Sequence, residues 1–197
     1  MKQFILVIIL LTIFLLSGCI ANDYQNPDTP DLVPQDNIIL LSEENALEIA
    51  SLAHQKFTSV FYGGEGIPGN VFDKTDPLDI DGQIYYYFGS SLDQFDKFDA
   101  YLRDVFTDKS ISKIKDCLKV SEYEGSLIGY WGEAGSELSW KDASVASLKL
   151  DNNMAEAVII VPLYIDNAID RFEINMEFIY FSTTGWRVDV EDPEELL

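Results

Sequence analysis

Apolar positions along the chain repeat first every three or four residues and later every two. Ala46, Ile49, Ala50, Ala53, Phe57, Val60 and Phe61 make one stripe, which predicts an amphipathic helix of about five turns. Ser42 stands where an N-cap belongs, Glu43 and Glu44 fall in the dipole-favoured first turn, and Gly63-Gly64 ends the pattern. His54 lies beside this stripe rather than in it, as a partly exposed side chain. Residues 63–82 are rich in Gly, Pro and Asp and read as a long loop. Gln83–Phe88 (QIYYYF) reads as a strand from its aromatic content. Ser91-Leu92-Asp93-Gln94 fits an S-x-x-Q capping box. Phe95, Phe98, Leu102, Val105 and Phe106 follow at helical spacing as core. Thr107 breaks that run and caps a third, short helix whose inner face is Ile111, Ile114 and Leu118.

From Leu127 onward the period is two. Leu148 and Leu150 alternate with Lys149 and Asp151, and Asn152-Asn153 signals a hairpin turn. Residues 156–165 (EAVIIVPLYI) read as a strand buried on both faces, with Pro162 marking an edge or a bulge. Phe172, Ile174, Met176, Phe178 and Tyr180 alternate with Glu173, Asn175 and Glu177. Thr183-Thr184-Gly185 then turns the chain into Trp186, Val188 and Val190, with Arg187 and Asp189 directed to water. Helices followed by an antiparallel meander predict an α+β fold, N-terminal helices packed on a C-terminal sheet, in a single domain over 42–197.

The first 41 residues follow another logic. Met1-Lys2-Gln3 is a short basic start, and Phe4–Leu16 is apolar except for Thr12. Those thirteen residues would span about 20 Å as a helix, short of a hydrocarbon core of about 30 Å. A basic start before a short apolar stretch reads as a signal peptide over residues 1–18. Leu16-Ser17-Gly18-Cys19 looks like the lipobox of bacterial lipoproteins, in which cleavage precedes the Cys and the Cys carries the lipid. The expected location is therefore the extracytoplasmic face of the membrane, anchored through Cys19. Residues 19–41, with Pro27, Pro30 and Pro34 among Asn, Asp and Gln, form a linker without period. Disordered, it would reach roughly 25 Å, enough for the domain to stand off the bilayer.

Charge and composition narrow the chemistry. Lys+Arg number 13 against 34 Asp+Glu, a formal charge of −21. Nothing here neutralises phosphates, so nucleic acid is excluded as a partner. One His and two Cys leave little for imidazole catalysis or a zinc site, and no cofactor or metal is expected. With Cys19 lipidated, Cys117 has no partner for an intramolecular disulfide and reads as a buried, inert thiol. Asp79-Ile80-Asp81-Gly82 resembles part of a calcium loop, but EF-hand spacing would put the first acid at Pro77 and the last at Phe88, which leaves a solvated turn. No nucleophile elbow, HExxH, CxxC, Walker A or GxGxxG occurs. No catalytic residue is assigned and the chain is read as a non-enzyme.

One segment is unusual. Residues 129–140 read Gly-Tyr-Trp-Gly-Glu-Ala-Gly-Ser-Glu-Leu-Ser-Trp. Glycines flank Tyr130 and Trp131, with Glu133 and Glu137 near them. Aromatic anchors ringed by polar groups are what interface hot spots are made of, so these four residues are the candidate partner-binding site. The other reading folds the same aromatics back onto the sheet.

Tyr85-Tyr86-Tyr87-Phe88 followed by Phe95–Ile114 (FDKFDAYLRDVFTDKSISKI) resembles a strand and helix pair of the IseA-like DL-endopeptidase inhibitors. Gly135-Ser136 with Leu138, Trp140, Lys141 and Ala143 is similar to that family's GS-x-L-x-W-x-x-A segment, and Gly185-Trp186-Arg187-Val188 to its closing strand. The match spans about residues 42–190. The resemblance implies a non-enzymatic inhibitor that plugs the substrate groove of peptidoglycan DL-endopeptidases, cell-wall hydrolases of the Cys/His type. Family members of the familiar kind are secreted without a lipid, whereas this chain reads as anchored. A rival reading is an NTF2-like lipoprotein domain, whose long sheet curls into a cone and holds a small ligand; a third is a structural wall lipoprotein with no defined target. For the anchor, Cys19→Ser should abolish incorporation of labelled fatty acid and either release the chain to the medium or leave the precursor in the membrane; unchanged labelling would place the lipid elsewhere.

Overall fold

The computed structural model describes residues 40–130, 138–165 and 168–197. The segment read as a signal peptide, Cys19 and almost all of the segment read as a linker lie outside them. The fold is α+β. Among the described residues are three α-helices: α1 (Glu43–Phe61), α2 (Phe95–Leu102) and α3 (Asp108–Cys117). Eight strands form two antiparallel sheets. The small sheet has the order β1-β2-β4-β3, from β1 (Leu78–Ile80), β2 (Gln83–Tyr87), β3 (Ser121–Tyr123) and β4 (Ser126–Gly129). The large sheet is a meander of β5 (Ser144–Asp151), β6 (Met154–Ile165), β7 (Ala168–Phe181) and β8 (Gly185–Asp189). One 3₁₀ turn, Trp140–Asp142, enters the large sheet and another, Pro193–Leu196, leaves it.

The helix caps follow their sequence signals. Ser42 Oγ accepts from Asn45 N at 3.1 Å and Thr107 Oγ1 from Ser110 N at 3.1 Å. The inner stripe of α1 (Ala46, Ala50, Ala53, Phe57, Val60, Phe61) packs with Phe98, Leu102, Phe106, Ile111 and Ile114 onto Ala155, Ala157, Ile159, Ile174, Met176 and Phe178 of the large sheet.

Several expectations are corrected. The 63–82 loop contains β1, whose register Ile80↔Gln83 is closed by Asp81-Gly82 with φ of 54° and 80°. Asp79 Oδ1 accepts from Gly82 N in that turn. Glu124-Gly125, with φ of 51° and 77°, closes β3 on β4 in the same way. Three-residue strands are too short to show a period, so neither hairpin announces itself. The Ser91 capping box does not form. Gln94 caps α2 without a side-chain bond, and Ser91 N donates instead to Asn70 Oδ1. Phe95, at the start of α2, is exposed, as are Leu150 and Phe172. Strand β6 is buried on one face only, through Ala155, Ala157, Ile159 and Val161, while Val158 and Ile160 are half-buried. Pro162 O accepts from Ser139 N at 2.7 Å. Its missing N–H points to that same side, past the last β5 pair Ser144↔Ile160, so the proline takes nothing from the ladder.

The largest correction is on β8, where Arg187 and Asp189 are buried rather than solvated. Alternation assumes an open strand edge. Here residues 105–107 run parallel to β8, with Val188 N donating to Val105 O (2.8 Å) and Thr107 N to Val188 O (3.0 Å). Asp189 Oδ1 accepts from Thr107 Oγ1 at 2.6 Å and from Ser110 Oγ at 3.2 Å, and its Oδ2 from Lys109 Nζ at 2.8 Å. Ser110 Oγ in turn accepts from Val190 N at 2.8 Å. Lys109 and Lys113 also bind Glu191, and the hydrogen bonds from these two lysines hold its carboxyl down at about 2. The Thr107 hydroxyl thus serves both as helix cap and, with the Ser110 hydroxyl, as donor to a buried carboxylate, which needs them. Asp189→Ala should lower unfolding free energy by about 3 kcal/mol, read from urea midpoints, because it removes the acceptor shared by two buried hydroxyls and Lys109; a loss below about 1 kcal/mol would mean that the seam is held by packing alone.

Candidate functional site

The unusual segment joins the two sheets. Its near base is the end of β4. Gly129 is required there, since a Cβ would lie 2.7 Å from Phe88 Cε2 and 3.3 Å from Leu118 O. The next residue is fixed by Tyr130 N donating to Leu118 O at 2.7 Å. The Tyr130 ring is 43% exposed, with Lys119 Nζ 5.5 Å from its centroid. Of the four candidate residues, Tyr130 is therefore placed at the surface. Trp131, Glu133 and Glu137 lie outside the described residues.

The far base sits on the β6–β7 hairpin. Leu138 bridges Leu163, and the bond from Ser139 N to Pro162 O follows it. Asp142 Oδ2 accepts from Ser139 Oγ at 2.8 Å and from Tyr164 OH at 3.2 Å. Trp140, first residue of the 3₁₀ turn, is buried and stacks on His54 with ring centroids 4.8 Å apart and planes 17° apart. This aromatic does fold back into the core. The hairpin itself runs on past its neighbours: β5 ends its pairing at Ile160 and β8 at Glu177, so residues 161–165 pair with 168–172 and, beyond that hairpin, meet Leu138 and Ser139. Tyr164, Ile169 and Phe172 are exposed on this projection, beside the far base.

The reactive residue types are held quiet. Burial pushes the Cys117 thiol up to about 11, helped by Glu194 and Asp192, the reverse of what a nucleophile needs. His54 Nδ1 lies 2.6 Å from Leu196 O. A carbonyl only accepts, so Nδ1 carries the proton. Burial lowers the His54 pKa, and the bond to Leu196 only partly opposes this. Among the described residues no group of three or more His, Cys, Asp or Glu is placed to hold a metal, and no helix is long and apolar enough to cross a membrane.

Two hollows bear on the ligand-binding reading. One, of about 310 Å³, lies where β5–β7 meet the C-terminal turn; its walls include Lys149, Glu156, Glu177, Glu191 and Glu195 and carry no aromatic ring. The other, of about 300 Å³, is an open cleft on the small sheet between Tyr62, Phe72, Tyr86 and Tyr87, with Lys74 Nζ 4.3 Å from the Tyr87 centroid. Among the described residues the strands divide between two four-stranded sheets, and neither hollow is enclosed by the large sheet's aromatic side chains.

The segment is thus bonded at both ends, beside an exposed apolar ribbon. The chain matches the family described as IseA DL-endopeptidase inhibitor over residues 37–192. It belongs to that family, which supports an inhibitor role with an endopeptidase as partner. A comparison with curated proteins gave no match.

Stability should follow His54. Its folded pKa lies below the unfolded 6.5, so the unfolded chain takes up the proton first. The urea midpoint should hold steady above pH 6.5 and fall as pH drops from there toward the lowered folded value. In His54→Phe that part of the slope should vanish; an unchanged slope would assign it to carboxylates.

Proposed function

We propose that this chain is a non-enzymatic lipoprotein of the extracytoplasmic membrane face that inhibits cell-wall DL-endopeptidases by laying the 129–140 segment into their substrate groove. Tyr130 and Trp131 are its anchors, Glu133 and Glu137 its polar rim, and the lipid on Cys19 its tether. The observation that carries this reading is the clamping of one glycine-rich, aromatic segment at both ends in a member of an inhibitor family. Fixed ends lower the entropy lost on docking, which raises affinity without adding contacts. Fixed ends also suit an inhibitor that must not be cut or dragged out.

The rest of the molecule is consistent with that task. A charge of −21 speeds encounter with a basic groove, in a manner that salt suppresses. The sequence features of residues 1–41 support export, lipidation and a linker that lets the head search beyond the bilayer. A partner whose active site is built from Cys and His is blocked by occupying its cleft, and no reactive group on the inhibitor is needed.

Inhibition of a purified DL-endopeptidase acting on muropeptide substrate tests the proposal. The wild-type chain should inhibit at micromolar concentration or below. Trp131→Ala should weaken binding by at least about 2 kcal/mol, roughly thirtyfold in Ki, with an unchanged thermal midpoint. Absence of inhibition by the wild type would refute the function; unfolding of Trp131→Ala would make Trp131 a core residue and remove it from the interface.

A further inference from the structure

We infer that His54 and the C-terminal turn Pro193–Leu196 form a latch that positions Trp140 and, through it, the far base of the docking segment. The inference rests on the reading of 129–140 as the docking segment.

Three contacts make the latch. His54, on α1, offers its ring face to Trp140. Its Nδ1–H reaches across the fold to Leu196 O at 2.6 Å. Leu196 itself is 1% exposed and packs in the core against the same helix that carries His54. The imidazole is therefore fixed edge-on by the C-terminal turn and face-on by the indole. Trp140 depends on that face: its Nε1–H is buried and has no acceptor among the described residues, so stacking and packing orient the ring. From Trp140 the constraint passes along the backbone to its neighbour Ser139 and to Asp142, two residues on, which tie the segment to Pro162 and Tyr164. Freeing the ring frees the base, and a freed base returns to the segment the entropy that docking must then remove.

The latch reaches beyond the residues that the family model matches. The family match ends at residue 192, while Leu196 O is the acceptor that holds His54. His54 is the chain's one histidine, and the proposed inhibition gives it no chemical task. A positioning role accounts for its burial and for the bond it makes.

The test uses the full-length protein in detergent, with His54→Ala, His54→Phe and a truncation of residues 193–197. Two readouts are taken at room temperature on variants shown to be folded: Ki against the DL-endopeptidase, and amide hydrogen exchange over Leu138–Asp142. His54→Ala and the truncation should raise Ki about tenfold and speed exchange over Leu138–Asp142. His54→Phe, which keeps a ring against Trp140, should recover most of both; a merely structural role would lower the melting temperature and leave Ki and local exchange alone. Unchanged exchange with Ki within about twofold of wild type in His54→Ala, while Trp131→Ala still loses inhibition, overturns the latch. If Trp131→Ala keeps full inhibition, the docking reading has failed instead, and exchange alone then decides: faster exchange over Leu138–Asp142 sustains the latch and unchanged exchange overturns it. Should His54→Ala not fold, the phenylalanine variant and the truncation carry the same comparison.

Discussion

The buried carboxylate of Asp189 is the constraint on which the rest of the structure depends. A charge at this depth is tolerated only with donors on it, and its donors come from the turn into α3 and its first residues: Thr107, Lys109 and Ser110. Satisfying Asp189 therefore forces the helical half of the chain against the edge of the large sheet. The parallel run of 105–107 along β8 covers that edge and removes a site of unwanted pairing. Once this seam is set, α1 and α3 must lie on the inner face of the meander, and the C-terminal residues, led past Glu191 by Lys109 and Lys113, fold back over α3 and α1.

The seam also fixes the site. The 129–140 segment begins on the helical side, at the Leu118 carbonyl, and ends on the sheet side, at Pro162. The distance between its two bases is thus set by how the halves dock, not by the segment's own sequence. Gly129 and Pro162 look like local irregularities but are positional requirements: the first admits the Phe88 ring, and the second accepts a bond from Ser139 at a point where β6 has no β5 neighbour.

What the sequence made legible was whatever rests on local periodicity. The stripes of α1 and α3, their Ser42 and Thr107 caps and the alternation in β7 from Ile174 to Tyr180 are local, and they fold as their spacing predicts. What it left hidden depends on distant partners. Arg187 and Asp189 alternate as a solvated face should, but the fold supplies partners that the spacing does not record: Thr107, Lys109 and Ser110, far back in the chain, for Asp189, and the Phe181 ring for Arg187. Strands β1 and β3 are too short for a period, although Asp81-Gly82 and Glu124-Gly125 supply the turn geometry that would have exposed them. Of the candidate site, Tyr130 could be read as exposed from its glycine neighbour and aromatic character. The joining of His54, Trp140 and Leu196 could not, because nothing in the spacing of residues 54, 140 and 196 records that they meet.

The inhibitory account is a claim about occupancy: the partner's groove is filled by a surface that undergoes no chemistry of its own. It is tested most directly at the partner's own nucleophile. With the full-length chain saturating a DL-endopeptidase of the proposed Cys/His type, the rate at which that enzyme's catalytic thiol is alkylated by a small reagent should fall in proportion to the fraction bound and recover when the complex dissociates. Alkylation at the free-enzyme rate while the complex is demonstrably formed would contradict groove blocking.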